Sequence, residues 1–194
     1  MTKEQLQDIR NKLKIWSKER HLSVMAQQEN LLGNILEELT EAARAKTIDD
    51  KVDAICDIMV FYLNATDSEI LICPDRFDYI GVNFAWRILT QLSVNSITNH
   101  PLNQCVTKLR KMGYDPYLCL LEVVNEISSR TGSWDEDLGK FKKDPGVYYK
   151  HELELDYPDD QIEEYEDTYR VLTDKQIFTF KKWYKADYSK CRLK

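Results

Sequence analysis

The sequence predicts an all-α protein, a helical bundle followed by an irregular C-terminal arm. Three observations predict it. Apolar residues recur at spacings of three and four through most of residues 1–132. Capping residues stand at the ends of several of those runs. Beyond Gly132 the composition changes, with a stretch rich in Gly, Lys, Asp and Tyr followed by an acidic one.

The elements follow in order. Residues 4–19 read as a helix carrying Leu6, Ile9, Leu13 and Trp16 on one stripe. A second helix spans 24–46, with Leu32, Ile35, Leu36, Leu39 and Ala43 as its apolar stripe and Gly33 placed for a close helix crossing. Thr47 is the expected cap of a third helix over 48–65. Between Ala54 and Leu63 that helix is apolar at every position but one, so it is buried on most sides. The string Cys-Pro-Asp-Arg-Phe at 73–77 reads as a turn, with helices near 82–94 and 101–112. Asp115 then caps a helix that has Pro116 at its first position and ends at Gly132. Segment 151–167 holds nine acids and no Lys or Arg, the pattern of a solvated loop. Residues 168–194 mix aromatics with lysines and suit short strands with a turn of helix. The expected organisation is a bundle over 1–132 and an arm over 133–194, with 151–167 as an acidic insertion.

Composition excludes several classes. The chain has a net charge of −6, and its best basic cluster is Lys140 with Lys142 and Lys143. Binding to a nucleic-acid backbone is not expected, because that requires many cationic contacts. No apolar stretch reaches the roughly 18 residues of a membrane span. The charged N-terminal residues do not resemble a secretory signal. Five cysteines without a Cys-x-x-Cys pair read as reduced thiols of a cytoplasmic protein. The histidines (His21, His100, His151) are isolated, which suggests neither zinc nor a Ser/His or Cys/His nucleophile.

The chemistry points to two neighbouring helices. On the first, Glu37, Glu38 and Glu41 occupy one arc, with Glu38 and Glu41 about 60° apart and Glu37 and Glu41 about 40° apart. Such neighbours repel one another unless a cation intervenes. On the second, Asp57 is the single charge in the apolar run, with Asp50, Asp53 and Asn64 on its face. A desolvated carboxylate must be protonated, paired or metal-bound, and oxygen ligands at this density suit Mg²⁺, or alternatively Mn²⁺.

At these residues the sequence resembles the MazG-like, all-α nucleoside triphosphate pyrophosphatase superfamily, and its phage-type members in particular. Those proteins carry Glu-Glu-x-x-Glu on one helix and Glu-x-x-Asp on the next. Glu37-Glu38-x-x-Glu41 matches the first element and Asp57 the end of the second. Ala54 stands where the second Glu is usual, and Asp53 is expected to substitute for it. Asn125 to Arg130, then Gly139-Lys140-Phe141-Lys142-Lys143-Asp144, is similar to a downstream segment of phosphoribosyl-ATP pyrophosphohydrolases. Tyr184-Lys185-Ala186-Asp187-Tyr188-Ser189 resembles their closing segment, with Ala186 in place of Pro.

The resemblance implies a MazG-like fold and hydrolysis of a (deoxy)nucleoside triphosphate to its monophosphate and pyrophosphate, in a homodimer or homotetramer. Glu38, Glu41, Asp53 and Asp57 would hold Mg²⁺, with Glu37 or Glu38 taking a proton from water. Asn64, Asn125, Arg130, Lys140 and Lys143 would contact the nucleotide. Trp16, Trp86, Trp134, Tyr148 and Tyr149 are candidates to stack a base. The alternative is a helical nucleotide-binding or regulatory module without catalysis. A His-Asp phosphohydrolase is disfavoured, since no such dipeptide occurs.

Overall fold

In the computed structural model, residues 1–66, 84–92, 100–144 and 147–193 are described. The turn expected at 73–77 lies outside them, as do the flanks of the helix expected near 82–94. The described chain divides into two compact units, Met1–Val124 with Ala186–Lys194, and Asn125–Lys185. The first is helical. The second carries two small sheets, so the all-α expectation needs correction: the C-terminal region is not an irregular arm.

The first unit contains α1 (Lys3–Glu19), α2 (Val24–Arg44), α3 (Ile48–Asn64), α4 (Phe84–Leu92), α5 (His100–Lys111) and most of α6 (Pro116–Ser129). Side-chain caps set several of these ends. Thr2 and Gln5 form a capping box on α1, Ser23 accepts from the Ala26 amide on α2, and Thr47 with Asp50 forms a second box on α3. Asp115 Oδ1 accepts from the amides of Tyr117 and Leu118, so α6 starts where Pro116 tolerates the missing N–H.

Helix α3 is the spine. It packs against α1, α2 and α5, and Val52, Ile55, Cys56, Ile58, Met59, Tyr62 and Leu63 are all buried. Burying each large aliphatic side chain stabilises the unit by about 1.5–3 kcal/mol. The stripe on α2 is rotated from the expected one. Leu31, Ile35, Glu38 and Leu39 face inward, while Leu32 and Leu36 are exposed, as is Ala43. Gly33 makes no close crossing among the described residues, since a Cβ there would meet nothing of them within 4 Å.

The second unit begins in the last turn of α6. Gly132 does not end that helix; it opens β1 (Gly132–Asp135), which pairs antiparallel with β2 (Lys140–Lys143). A Cβ on Gly132 would stand 2.2 Å from the Lys142 carbonyl oxygen and 2.7 Å from the Phe141 ring, so only glycine lets the strands close here. The four-stranded sheet runs β3 (Val147–Tyr148), β6 (Ile177–Lys182), β5 (Thr168–Leu172), β4 (Ile162–Glu164), with β3 and β6 parallel. Its core is Leu153, Ile162, Tyr169 and Val171, flanked by Tyr148, Tyr157, Phe178 and Phe180. The acidic stretch is therefore not a bare loop. It supplies α7 (Lys150–Leu153) in part, and all of β4. Among the described residues no helix is long and apolar enough to cross a membrane.

Candidate carboxylate site in the helical unit

Because α2 and α3 are joined by only Ala45–Thr47, their acidic residues come to lie side by side. The rotated stripe turns Glu38 inward, where it is 8% exposed and its Oε2 has no hydrogen-bond partner among the described residues. Glu37 and Glu41 are exposed at the rim, and Asp53 and Asp57 are half-buried on α3. Burial pushes the Glu38 carboxyl up to about 8, and the charges of Asp57, Glu41, Asp53 and Glu37 push the same way, in that order. The four expected metal ligands and Glu37 thus share one electrostatic neighbourhood. Among the described residues no three Asp, Glu, His or Cys side chains converge closely enough to grip an ion as they stand. The chemistry of the donor set fits a hard cation all the same, since Glu38 is a buried carboxylate among other carboxylates and one of its oxygens lacks a partner among the described residues.

A residue not anticipated from the sequence completes this group. The Tyr188 hydroxyl donates to Asp53 Oδ1, and the Tyr188 side chain is buried. The last residues carry it there as a strap. The Asp187 amide donates to Glu122 Oε2 at 3.0 Å, the Asp115 amide to the Cys191 carbonyl at 2.7 Å, and the Leu193 amide to the Gly113 carbonyl at 2.8 Å. The available signal was the closing segment, which contains Tyr188 although no site role was expected of it. Behind the carboxylates lie the buried thiols Cys56, Cys119 and Cys191. Burial, then the hydrogen bond with Cys119, pushes the Cys56 thiol up, so it stays protonated and inert.

Asn64 lies two turns further along the Asp57 face, about 10 Å away by helix rise. It lines a cavity of about 300 Å³ with Arg10, Lys14, Ser17 and Lys18 of α1 and Leu63. Ser17 Oγ donates to Asn64 Oδ1 at 3.3 Å. Among the described residues no carboxylate lines this cavity, although the chain is acidic overall. The spacing Arg10, Lys14, Lys18 is a helical i, i+4, i+8 row that the sequence already displays.

The remaining expected nucleotide contacts belong to the second unit. Asn125 is exposed on α6, and Lys140 is exposed on β2 opposite Asp135. The Lys143 side chain lies outside the described residues. Arg130 is engaged within its own unit: its guanidinium donates to the Tyr149 hydroxyl at 2.8 Å, pairs with Glu126 at 3.1 Å, and lies over the Tyr149 and Trp183 rings. Tyr149 in turn donates to Glu126. Of the aromatics named for base stacking, Trp86 is exposed, Trp16 lies under the Arg20 guanidinium at 4.8 Å, and Tyr148 packs on Phe180.

Comparison with family models, with curated proteins and with solved structures gives no match for this chain.

Proposed function

We propose that the helical unit is a Mg²⁺-dependent nucleoside triphosphate pyrophosphohydrolase of the MazG-like kind. The observation that carries this reading is Glu38, a carboxyl buried beside four others and left with an oxygen that no described residue satisfies. Removing it from water costs several kcal/mol unless a proton or a cation offsets the charge. Glu38, Glu41, Asp53 and Asp57 would hold Mg²⁺, with the exposed Glu41 turning inward to close the ligand set. A divalent ion there neutralises phosphate charge, polarises the phosphoryl group and acidifies a bound water. Glu37, exposed at the rim, would take a proton from the attacking water. The cationic cavity further along α3 supports the same reading, because Arg10, Lys14 and Lys18 suit phosphate oxygens while Leu63 and Asn64 offer an apolar and an amide contact. Asn125, Arg130, Lys140 and Lys143 are not needed for it. The exposed Met25, Leu32 and Leu36 of α2 support assembly into a homodimer or homotetramer.

Pyrophosphate release with Mg²⁺ from the eight common nucleoside triphosphates and phosphoribosyl-ATP tests the proposal. Turnover of at least one is expected, abolished in Asp57→Asn with the helical circular dichroism unchanged. No turnover of any of them, or an unaffected Asp57→Asn, would refute it. One observation favours a second reading, a nucleotide-binding module without catalysis: the Tyr188 hydroxyl already engages an oxygen of Asp53. Calorimetry showing that Mg²⁺ and a non-hydrolysable nucleotide bind, without turnover, would decide for it.

A further inference from the structure

Helix α1 carries its cations in two ways. Lys12 pairs with Asp8 one turn away, at 3.2 Å. Arg10, Lys14 and Lys18 instead form a row of like charges, and none of the three has an acid three or four residues away. Such a row repels itself. The helix dipole accounts for a lysine in the last turn, where Lys18 stands, but not for Lys14 or Arg10 further back. All three line the cavity that Ser17, Asn64 and Val24 also line. The Arg10 guanidinium is fixed there by donating to the Thr66 carbonyl at 2.5 Å. No described residue pairs with Lys14 or Lys18. Val24 is the first residue of α2, so its amide is a first-turn donor without an acceptor inside its own helix. Leu13 and Leu63 are buried whereas Lys14 and Lys18 are exposed, which puts the charge at the mouth of the cavity.

We infer that this cavity binds the pyrophosphate end of the substrate, and pyrophosphate itself after cleavage, without needing a metal ion. The inference rests on the proposed function and settles which end of the nucleotide lies here. Hydrolysis to monophosphate and pyrophosphate breaks the α–β anhydride bond: water oxygen joins the α-phosphorus, and the bridging oxygen leaves with pyrophosphate. The carboxylates would hold the ion at the bond that breaks. Asn64 stands about 10 Å from Asp57 along α3, and long lysine side chains reach back across part of that span. Pyrophosphate is the most highly charged product, and a row of unpaired cations matches it better than it matches an uncharged base and sugar. The row holds that end equally before and after the bond breaks, so its loss raises KM rather than lowering kcat.

The test is calorimetric titration of inorganic pyrophosphate into the full chain in EDTA, where the metal-free carboxylates repel the anion. Wild type should bind with a Kd below about 1 mM. Lys14→Ala with Lys18→Ala should weaken binding at least about tenfold. Lys14→Gln with Lys18→Gln keeps most of each stem, and takes over should the alanine pair lose the native circular dichroism spectrum. Lys108→Ala with Lys175→Ala is the control: it removes the same charge from exposed positions outside the cavity, and should change Kd less than about twofold. A nucleoside monophosphate titrated alone should not respond to the Lys14 and Lys18 changes. If they weaken it as much as they weaken pyrophosphate, the cavity holds the nucleoside end and the inference is overturned. No pyrophosphate binding in EDTA, or binding that survives loss of both lysines, overturns it too, and nucleotide turnover then leaves the proposed function standing. Lysine-dependent pyrophosphate binding without turnover of any nucleotide removes the proposed function and keeps the anion site.

Discussion

Replacing Glu38 with Gln removes the charge and keeps the shape of the side chain, so it isolates what the buried carboxylate costs. In the unfolded chain this group ionises at its ordinary value of 4.5, and in the folded chain at about 8. Between those two pH values the folded state binds the extra proton, so stability falls as pH rises from 4.5 to 8 and is flat beyond either end. The gap corresponds to at most about 5 kcal/mol. Water reaching the cluster past the exposed Glu37 and Glu41 reduces this to about 2–3 kcal/mol. In EDTA at pH 8, Glu38→Gln should therefore be more stable than wild type by about that amount, or about 5–10 °C in Tm for a chain of this size. At pH 5 the two should nearly coincide. Saturating Mg²⁺ at pH 8, at about 100 times its Kd, should return about 2.7 kcal/mol to wild type and much less to the variant. Urea unfolding followed at 222 nm at both pH values, with and without Mg²⁺, measures all four quantities. Equal pH slopes for the two proteins, or equal stabilisation of both by Mg²⁺, would refute the reasoning.

Three further outcomes are expected. Lys14→Ala with Lys18→Ala should raise KM for the preferred nucleoside triphosphate about tenfold with little change in kcat, as loss of charge-assisted phosphate contacts does; steady-state kinetics at two salt concentrations checks this. Gly132→Ala should cost the β1–β2 pairing about 1–3 kcal/mol, read as roughly 10–100-fold faster amide exchange in β1 and β2 with the α3 amides unaffected. Thr47→Ala removes the α3 capping box and should lower stability by about 1 kcal/mol, measured by the same urea titration.

The helices were legible because their signals are local. Thr47, Ser23, Asp115 and Pro116 act within four residues of themselves, and the apolar run of α3 has no alternative but burial. The face of α2 was not, because leucines or isoleucine stand in adjacent pairs at 31–32 and 35–36. Periodicity alone does not choose between the two registers, and the packing against α3 chose Leu31 and Ile35. That choice, a shift of one position, is what puts Glu38 inside. Strands β5 and β6 fall in the stretch 168–194 that reads as short strands, whereas β1 to β4 escaped the reading because each is only two to four residues long. The longer strands do alternate, with Tyr169 and Val171 buried on β5 and Phe178 and Phe180 inward-leaning on β6. Tyr188 was invisible as a partner for Asp53 because 135 positions separate them, and no local pattern bridges such a span.

The division of the chain has a consequence for how the molecule is made. Residues 125–185 interrupt the helical unit, and their two ends meet where the Tyr184 amide donates to Ser129 Oγ at 3.1 Å. A ribosome thus releases every helix of the first unit long before it delivers the hydroxyl that Asp53 receives. A chain cut short after α6 would keep the apolar spine of α3 and lack the Tyr188 hydroxyl that reaches Asp53.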